Sequence, residues 1–158
     1  MLDSWTLAAR VYDAVISRAE ADYPEETCGL IFDTGTDLDV LPMENKQNEM
    51  HAQDPENFPR DAKKAYYFDP VEFQKVIAER EESGQPLRSI YHSHPDHEAN
   101  FSDKDREDAV PPDWGEPLFP DTVYVVVSVK NGKAGDVRGY QWCEVDRDFE
   151  EIEILRGN

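Results

Sequence analysis

The stretch SIYHSHPDHEANFSDKDRED, residues 89–108, places two of the chain's four histidines one residue apart. The segment PLRSIYHSH is predicted to be a strand, and side chains two positions apart on a strand leave from the same face. His92 and His94 are therefore expected to point together, and two imidazoles so placed can hold one metal ion at about 2.0–2.1 Å each. Asp105, after the loop, is the nearest sensible third ligand. This set would leave a fourth tetrahedral position open for water, as in catalytic zinc sites.

The same residues also fit an explanation without a metal. The sequence SDKD at 102–105 matches the start of a helix, with Ser102 as its cap and Asp105 reaching back to the helix start. A His-x-His pair alone is a weak signal, and short capping patterns are common. The two interpretations are compatible, because a capped helix start can also direct a carboxylate at a metal. His51 and His97 have no partner at ligand spacing and are predicted to be loop residues.

Helices are predicted at two places in the first half of the chain. The first covers residues 4–22, with Asp3 or Ser4 as its cap and Pro24 after its end. Every fourth position in this stretch is apolar, which predicts a helix face that packs on a core. The residues of this stripe are Leu7, Val11, Val15 and Ala19.

The second helix is predicted from its capping residues. Asp69 is a favoured N-cap residue, Pro70 occupies the first helical position, and Glu72 stands where a capping-box carboxylate would. Gly84 marks the end of the helix. The apolar face of this helix consists of Phe73, Val76 and Ile77.

The remaining elements are predicted to be strands and one long loop. TCGLIFDTGTDLDVLPM reads as two short strands around a turn at residues 34–37, and TVYVVVSV as a strand buried on both faces. VRGYQWCEV and EEIEILR are candidate final strands, and the polar residues 45–64 are predicted to form a loop. This order predicts one α/β (α+β) domain over residues 1–158, with a mixed β-sheet packed by helices.

The amino-acid composition disfavours several classes of function. The chain has 16 basic and 35 acidic residues and a formal net charge of −19, which disfavours binding to nucleic acid or to anionic membranes. The acidity fits either a hydrated surface in a salt-rich cytoplasm or an acidic docking face for a basic partner. No apolar run is long enough to span a membrane, the start MLDSWTLAAR does not resemble a signal peptide, and two cysteines are too few for a disulfide framework. These features predict a cytoplasmic protein.

Two separated motifs carry a family resemblance. EETCGLIFD, followed far downstream by YHSHP-DHEANF-SDKD, resembles the pattern of the JAMM/MPN+ zinc metalloproteases in their stand-alone prokaryotic form. In that pattern a Glu shortly precedes Cys-Gly, and His-Ser/Thr-His is followed after seven residues by Ser-x-x-Asp. Here residues 95–101 provide the seven intervening positions. The resemblance covers most of the chain and implies a single MPN/JAMM-like domain with a cytidine-deaminase-like architecture.

The resemblance also implies roles for individual residues. His92, His94 and Asp105 match the ligands of Zn2+, Glu26 matches the catalytic base, and Ser102 matches the serine that stabilises the tetrahedral intermediate. The implied reaction is metal-assisted amide hydrolysis, in which the glutamate takes a proton from water and delivers it to the leaving amine.

Neighbouring residues are given structural roles. Glu26 is preferred to Glu25 because it stands two residues before Cys28, and Glu25 is expected to be solvated on the opposite strand face. Ser93 is expected to point away from the two histidines. Cys28 is expected to be a small buried residue, with a metal-binding or nucleophilic role as the minor alternative.

The implied substrate is an amide or isopeptide bond at the C-terminal Gly-Gly tail of a ubiquitin-like or sulfur-carrier protein. Two alternatives remain: an MPN-fold module that binds a protein without turnover, and a zinc hydrolase of small peptides. A deaminase is disfavoured because the usual Cys-x-x-Cys ligand pair is missing from the sequence. The sequence does not indicate an oligomeric state.

Overall fold

A computed structural model describes residues 2–158. In this range the chain forms seven strands and four helices. The strands are β1 (Ser4–Leu7), β2 (Cys28–Asp33), β3 (Leu38–Met43), β4 (Leu87–Pro95), β5 (Val123–Lys130), β6 (Lys133–Cys143) and β7 (Asp148–Arg156). The helices are α1 (Ala9–Asp22), α2 (Gln47–Gln53), α3 (Pro70–Glu82) and α4 (Asp103–Ala109).

The strands form one mixed sheet in the order β1-β7-β6-β5-β4-β2-β3. The pairs β1–β7 and β4–β5 are parallel, whereas the other neighbours are antiparallel. A central strand such as β5 is buried along nearly its whole length, which explains the continuous apolar run TVYVVVSV. The predicted α/β class with a mixed sheet packed by helices is confirmed.

The sheet separates two apolar clusters. On one face α1 packs through Val11, Val15 and Ala19, and these side chains meet Tyr91 of β4. The opposite face packs against the apolar side of α3, as the spacing of its residues predicted. Alternation along β4 assigns consecutive residues to the two faces, so its polar side chains are also divided between them.

The helix predicted over residues 4–22 is correct only from Ala9 onwards. Residues 4–7 are strand β1, which pairs in parallel with β7 and places Trp5 opposite Ile154. No polar side chain caps α1, because its N-cap position is Ala8 rather than Asp3 or Ser4. The predicted cap was wrong because a pairing with the far end of the chain decides the conformation of these residues.

The loop predicted over residues 45–64 contains the short helix α2. Asn45 explains this difference, because its side-chain oxygen accepts hydrogen bonds from the backbone N–H groups of Gln47 and Tyr67. Asn45 thus fixes the start of α2 and ties it to a residue beyond the segment, which local composition does not reveal. His51 lies in this helix and not in a loop.

The other predicted elements are present, but β6 begins at Lys133 and not at Val137, and the Glu72 side chain does not complete a capping box in α3. Asp69 caps α3 by accepting hydrogen bonds from the N–H groups of Val71 and Glu72, and Pro70 occupies the first helical position. Strands β2 and β3 flank the predicted turn, and β6 and β7 are the predicted final strands. None of the helices in residues 2–158 has the length and apolar character needed to cross a membrane.

Candidate metal centre

Three buried donor groups converge where β4 meets α4. His92 and His94 leave the same face of β4, and their Nε2 atoms lie 3.1 Å apart. Asp105 of α4 places Oδ1 3.1 Å from His92 Nε2 and Oδ2 3.2 Å from His94 Nε2. All three side chains are at least nine-tenths buried. The structure therefore brings together the three residues that the sequence predicted to be ligands.

The donor spacing fits a small metal ion. Ligand atoms about 2.0–2.1 Å from a tetrahedral ion lie roughly 3.3 Å from one another, close to the separations found here. Burial opposes charge on Asp105, but the charges and hydrogen bonds of His92 and His94 hold the pKa of this carboxyl well below its usual range. Burial also tends to lower the pKa of His94, but Asp105 raises it above its usual value. A buried carboxylate held anionic between two imidazoles attracts a positive charge, which a proton or a metal cation can supply.

The capping box of α4 holds Asp105 in place. Ser102 Oγ accepts a hydrogen bond from the Asp105 N–H at 3.1 Å, and Asp105 Oδ2 accepts one from the Ser102 N–H at 3.0 Å. The same carboxylate faces both histidines. The helix-capping and metal-ligand interpretations are therefore both satisfied, because the capping box at the start of α4 orients the Asp105 carboxylate toward the two histidines.

The two imidazoles are supported differently. His94 Nδ1 lies 2.9 Å from the carbonyl oxygen of Glu98, which fixes a proton on Nδ1 and leaves Nε2 free to bind a metal. His92 Nδ1 is buried without a hydrogen-bond partner in residues 2–158, and its ring stacks on Tyr66 with a centroid distance of 4.7 Å. Hydrogen bonding therefore orients His94, whereas packing orients His92.

Ser93 points to the other face of β4, as predicted. Its Oγ accepts a hydrogen bond from the buried N–H of Thr27 at 2.8 Å, and its own N–H donates to the carbonyl of Thr27. These bonds tie the strand that carries the histidines to the segment that carries Glu26. Ser93 thus positions the site without facing it.

Glu26 lies in the cleft next to the three donors. Glu26 and Thr27 are the two residues before β2. Glu26 lines a cleft of about 700 Å³ together with His94, Ser102 and Asp105. Its main chain is fixed, because its N–H donates to the carbonyl of Ala62 at 2.7 Å. Burial raises the pKa of the Glu26 carboxyl to about 8, with a smaller opposing effect of His94. A carboxyl with this pKa can exchange a proton near neutral pH, as a general base must.

The neighbouring candidates lie outside this arrangement. Glu25, expected to be solvated, is half-buried, its carboxylate accepts a hydrogen bond from Asn48, and it does not line the cleft that contains Glu26. Neither Glu25 nor Glu26 lies in a strand, since β2 begins at Cys28. The Cys28 thiol is buried and lies 3.6 Å from the carbonyl of Met43, and burial raises its pKa far above its usual value. A neutral buried thiol is unreactive, as the predicted packing role requires.

Comparison with known proteins agrees with the motifs. Residues 8–143 match the family model described as prokaryotic homologs of the JAB domain. The chain belongs to this prokaryotic JAB family. The match confirms the JAMM/MPN resemblance drawn from the two motifs. No curated protein matches this chain.

Solved structures share the JAB fold. A protein from Desulfitobacterium hafniense is 20% identical, with a TM-score of 0.66 over 97% of this chain and 92% of that one. A JAB1/MPN domain protein from Archaeoglobus fulgidus is 11% identical, with a TM-score of 0.50 over 96% and 99% of the two chains. A structure described as a metalloprotease-like zinc site in the proteasome and signalosome is 14% identical, with a TM-score of 0.50 over 97% and 98%. At these identities the likeness shows the fold.

Some residues of this JAB-family cleft were not predicted from the sequence. Tyr66 packs against His92, and Asn45 donates hydrogen bonds from its side-chain amide to the carbonyls of Glu26 and Ala65. His97, predicted to be a loop residue, is an exposed loop residue that lines the cleft. The segment AYYFD gave a compositional hint of aromatic packing, but nothing in it indicates a histidine partner.

Proposed function

We propose that this chain is a zinc-dependent metallopeptidase acting on the C-terminal Gly-Gly tail of a ubiquitin-like or sulfur-carrier protein. The observation that carries the proposal is the convergence of three buried donors beside a buried glutamate. His92, His94 and Asp105 provide two imidazole nitrogens and one carboxylate, and Glu26 lines a cleft together with His94 and Asp105. This donor set is typical of hydrolytic zinc sites that keep one position open.

His92 Nε2, His94 Nε2 and the Asp105 carboxylate would hold the ion. A zinc ion bound there supplies Lewis acidity and lowers the pKa of water. The hydrogen bond from His94 Nδ1 to the Glu98 carbonyl keeps the opposite ring nitrogen available as a ligand. The capping box of α4 keeps the Asp105 carboxylate oriented toward both histidines.

The proton transfers fall to Glu26. Its carboxyl takes a proton from the attacking water and then delivers it to the leaving amine. Burial supports this role, since the raised pKa of Glu26 lets the carboxyl hold the proton between the two steps. The hydrogen bond from its N–H to the Ala62 carbonyl fixes the main chain that carries this carboxyl.

Ser102 is suited to stabilise a developing oxyanion. Its Oγ accepts a hydrogen bond from the Asp105 N–H, which leaves the hydroxyl proton free to be donated. The residue is half-buried and lines the cleft together with Glu26 and His94. A donor aimed at the developing charge contributes up to several kcal/mol in other enzymes, roughly 2.7–4 kcal/mol in a measured case.

The carrier with its Gly-Gly tail is the part of the proposal that rests on family resemblance. One solved neighbour is described as a metalloprotease-like zinc site in the proteasome and signalosome. The two free, buried cysteines suit a reducing compartment, and we place the activity in the cytoplasm.

The test is hydrolysis of a Gly-Gly-tailed carrier that bears an amide-linked C-terminal peptide. The zinc-loaded wild type is expected to cleave the bond, and removal of zinc with a chelator is expected to abolish cleavage. Glu26→Gln is expected to keep zinc and to lose roughly 10²–10⁴-fold in rate, the usual contribution of general acid–base catalysis. Glu25→Gln is the matched control and should retain activity.

Two results would contradict the proposal. Wild-type rates in Glu26→Gln would remove this residue from the catalytic role. Failure of the zinc-loaded wild type to cleave any Gly-Gly-tailed carrier would exclude the peptidase and favour a binding role for the cleft.

A further inference from the structure

One wall of the metal cleft carries an unusual concentration of positive charge. Arg60, Lys63 and Lys64, here called the basic wall, line the cleft that contains Glu26 and Asp105. All three basic side chains are exposed. The chain has 16 Lys and Arg residues against 35 Asp and Glu, so a cluster of cations at one place runs against the character of the whole molecule.

The basic wall is not neutralised by ion pairs. In residues 2–158, ten of the sixteen Lys and Arg side chains lie within ion-pair distance of a carboxylate. Half of the six cations without such a partner belong to the basic wall, within five consecutive positions of the chain. The six are Arg60, Lys63, Lys64, Lys75, Arg88 and Lys133.

Two carboxylates that line the cleft with the basic wall pair with cations outside the wall. Glu98 pairs with Lys130, and Asp108 pairs with Lys104 at 2.7 Å. Asp61, inside the wall segment, accepts a hydrogen bond from the backbone N–H of Lys63 at 3.0 Å. Asp105 faces the two histidines, and the Asp61 carboxylate offsets one of the three positive charges within the wall, so a net positive charge remains at the open cleft.

The backbone that carries the wall is fixed before any ligand binds. The carbonyl of Ala62 accepts a hydrogen bond from the Glu26 N–H, and the Ala62 N–H donates to Asn48 Oδ1 at 2.8 Å. The carbonyl of Arg60 accepts a hydrogen bond from Gln47 Nε2 at 2.9 Å. The side chain of Ala62 is fully buried. A wall anchored in this way loses little backbone entropy when it binds a partner.

We propose that the basic wall binds an acidic segment of the substrate polypeptide next to the bond that is cleaved. The inference rests on the proposed peptidase function and names the substrate class that this cleft selects. The net charge of −19 repels acidic chains from the surface as a whole, whereas the cleft gathers three of the six unpaired cations and therefore attracts an acidic segment that reaches it. A short acidic peptide fits this pattern better than a nucleic acid, whose extended backbone would also cross the acidic surface.

The experiment uses two fluorescent Gly-Gly peptides of identical length. One carries Asp and Glu next to the Gly-Gly pair, and the other carries Asn and Gln at the same positions. Binding is measured by anisotropy with the zinc-loaded Glu26→Gln chain, in which turnover is expected to be roughly 10²–10⁴-fold slower. Cleavage by the wild type is measured separately. The binding assay tests the basic wall, and the cleavage assay tests the peptidase function, so the two can fail independently.

The deciding variant is Lys63→Gln/Lys64→Gln, and its control is Lys75→Gln/Lys133→Gln. Both remove two unpaired, exposed cations and change the net charge equally, but only the first pair lines the cleft. We expect the first variant to bind the acidic peptide roughly three- to tenfold more weakly, as the loss of two exposed charge pairs predicts. Its affinity for the amide peptide should stay unchanged, and the control should bind both peptides like the parent chain.

Three results would overturn the proposal. One is equal affinity of the parent chain for both peptides at low salt. Another is the same loss in the control variant, which would indicate a general effect of net charge. The last is tighter binding of a single-stranded oligonucleotide than of the acidic peptide, with that binding dependent on Lys63 and Lys64. The ligand of the basic wall would then be a nucleic acid.

Discussion

The two faces of strand β4 differ in what their polar groups do. On the face toward α1, Tyr91 is fully buried in an apolar cluster and Ser93 accepts a hydrogen bond from the backbone of Thr27. On the opposite face, His92 and His94 direct their nitrogens at each other and at a carboxylate. The polar and aromatic groups of one face pack and form internal hydrogen bonds. The other face brings together two imidazoles and a carboxylate that can bind a metal ion. The difference shows that alternation along β4 places the residues that stabilise the fold on one face and the candidate metal ligands on the other.

A second contrast lies within the chemical face. Glu26 and Asp105 are both buried carboxyls in one cleft, but burial raises the pKa of the first, and the two histidines lower the pKa of the second despite its burial. Carboxyls whose environments push their pKa values in opposite directions suit different roles, one as an anionic ligand and one as a proton carrier.

The largest expected difference between the faces is in metal content. His92→Ala removes one of three donors and should reduce bound zinc from one ion per chain to nearly none. Ser93→Ala should keep zinc but lose about 1–3 kcal/mol of stability, because it leaves the buried N–H of Thr27 without its acceptor. Elemental analysis after dialysis and denaturant unfolding measure the two effects. Equimolar zinc in His92→Ala would remove this residue from the ligand set.

The contrast between the two carboxyls predicts a pH effect in the metal-free protein. The folded state holds a proton on Glu26 up to a pKa of about 8, while the unfolded chain releases it near the usual value of 4.5. Because the native state binds the extra proton in this window, the stability of metal-free wild type falls as pH rises from 4.5 to 8.

Glu26→Gln should remove this contribution. The variant should match the metal-free wild type near pH 4.5 and exceed its stability above pH 8, by a few kcal/mol at about 1.4 kcal/mol per pKa unit. Denaturant unfolding at several pH values, with chelator present, measures the difference. Glu25→Gln is the control and should follow the wild type. Parallel pH curves for Glu26→Gln and wild type would contradict a buried, protonated Glu26.

The packing face predicts a smaller, purely structural effect. A Cβ on Gly29 would lie 2.2 Å from the Tyr91 hydroxyl oxygen, and the fully buried Tyr91 has little room to move. Gly29→Ala should therefore cost about 1–3 kcal/mol, which lowers the melting temperature by roughly 2–4 °C for each kcal/mol. Gly135→Ala is the control, since a Cβ there meets no atom within 4 Å. Equal melting temperatures of the two variants would show that Tyr91 adjusts freely.

The smallest expected effect compares two helix caps. Ser102 caps α4 and Asp69 caps α3, so Ser102→Ala and Asp69→Ala should each lose about 1 kcal/mol of stability. Only the first cap also orients Asp105, so only Ser102→Ala should weaken zinc binding, by roughly tenfold. Competition with a chromophoric chelator measures the affinity. A similar loss of zinc affinity in Asp69→Ala would mean that general stability, and not the capping box, controls the site.

Local patterns predicted much of the site. The alternation of side chains on a strand placed His92 and His94 on one face, and the SDKD pattern predicted the capping box that holds Asp105. The run TVYVVVSV was likewise expected to be a strand buried on both faces, and all of its residues are buried. These features depend on residues within a few positions of each other, so they can be predicted from the local sequence.

Errors arose where distant segments decide the structure. Residues 4–7 form a strand because β7, at the other end of the chain, pairs with them. Helix α2 starts where it does because Asn45 also binds the backbone of Tyr67. In both cases local propensity was overruled by a hydrogen-bonded partner that periodicity cannot reveal.

The sequence by itself determined the two motifs, the strand that presents the histidines and the helix start that presents the carboxylate. Only the tertiary structure placed Glu26 beside them, stacked Tyr66 on His92 and turned Arg60, Lys63 and Lys64 toward the same cleft. The physical reason is the range of the interactions. Strand alternation and helix capping act over a few residues, whereas burial of Glu26 and the charge of the basic wall arise from sheet pairing and packing between segments far apart in the chain.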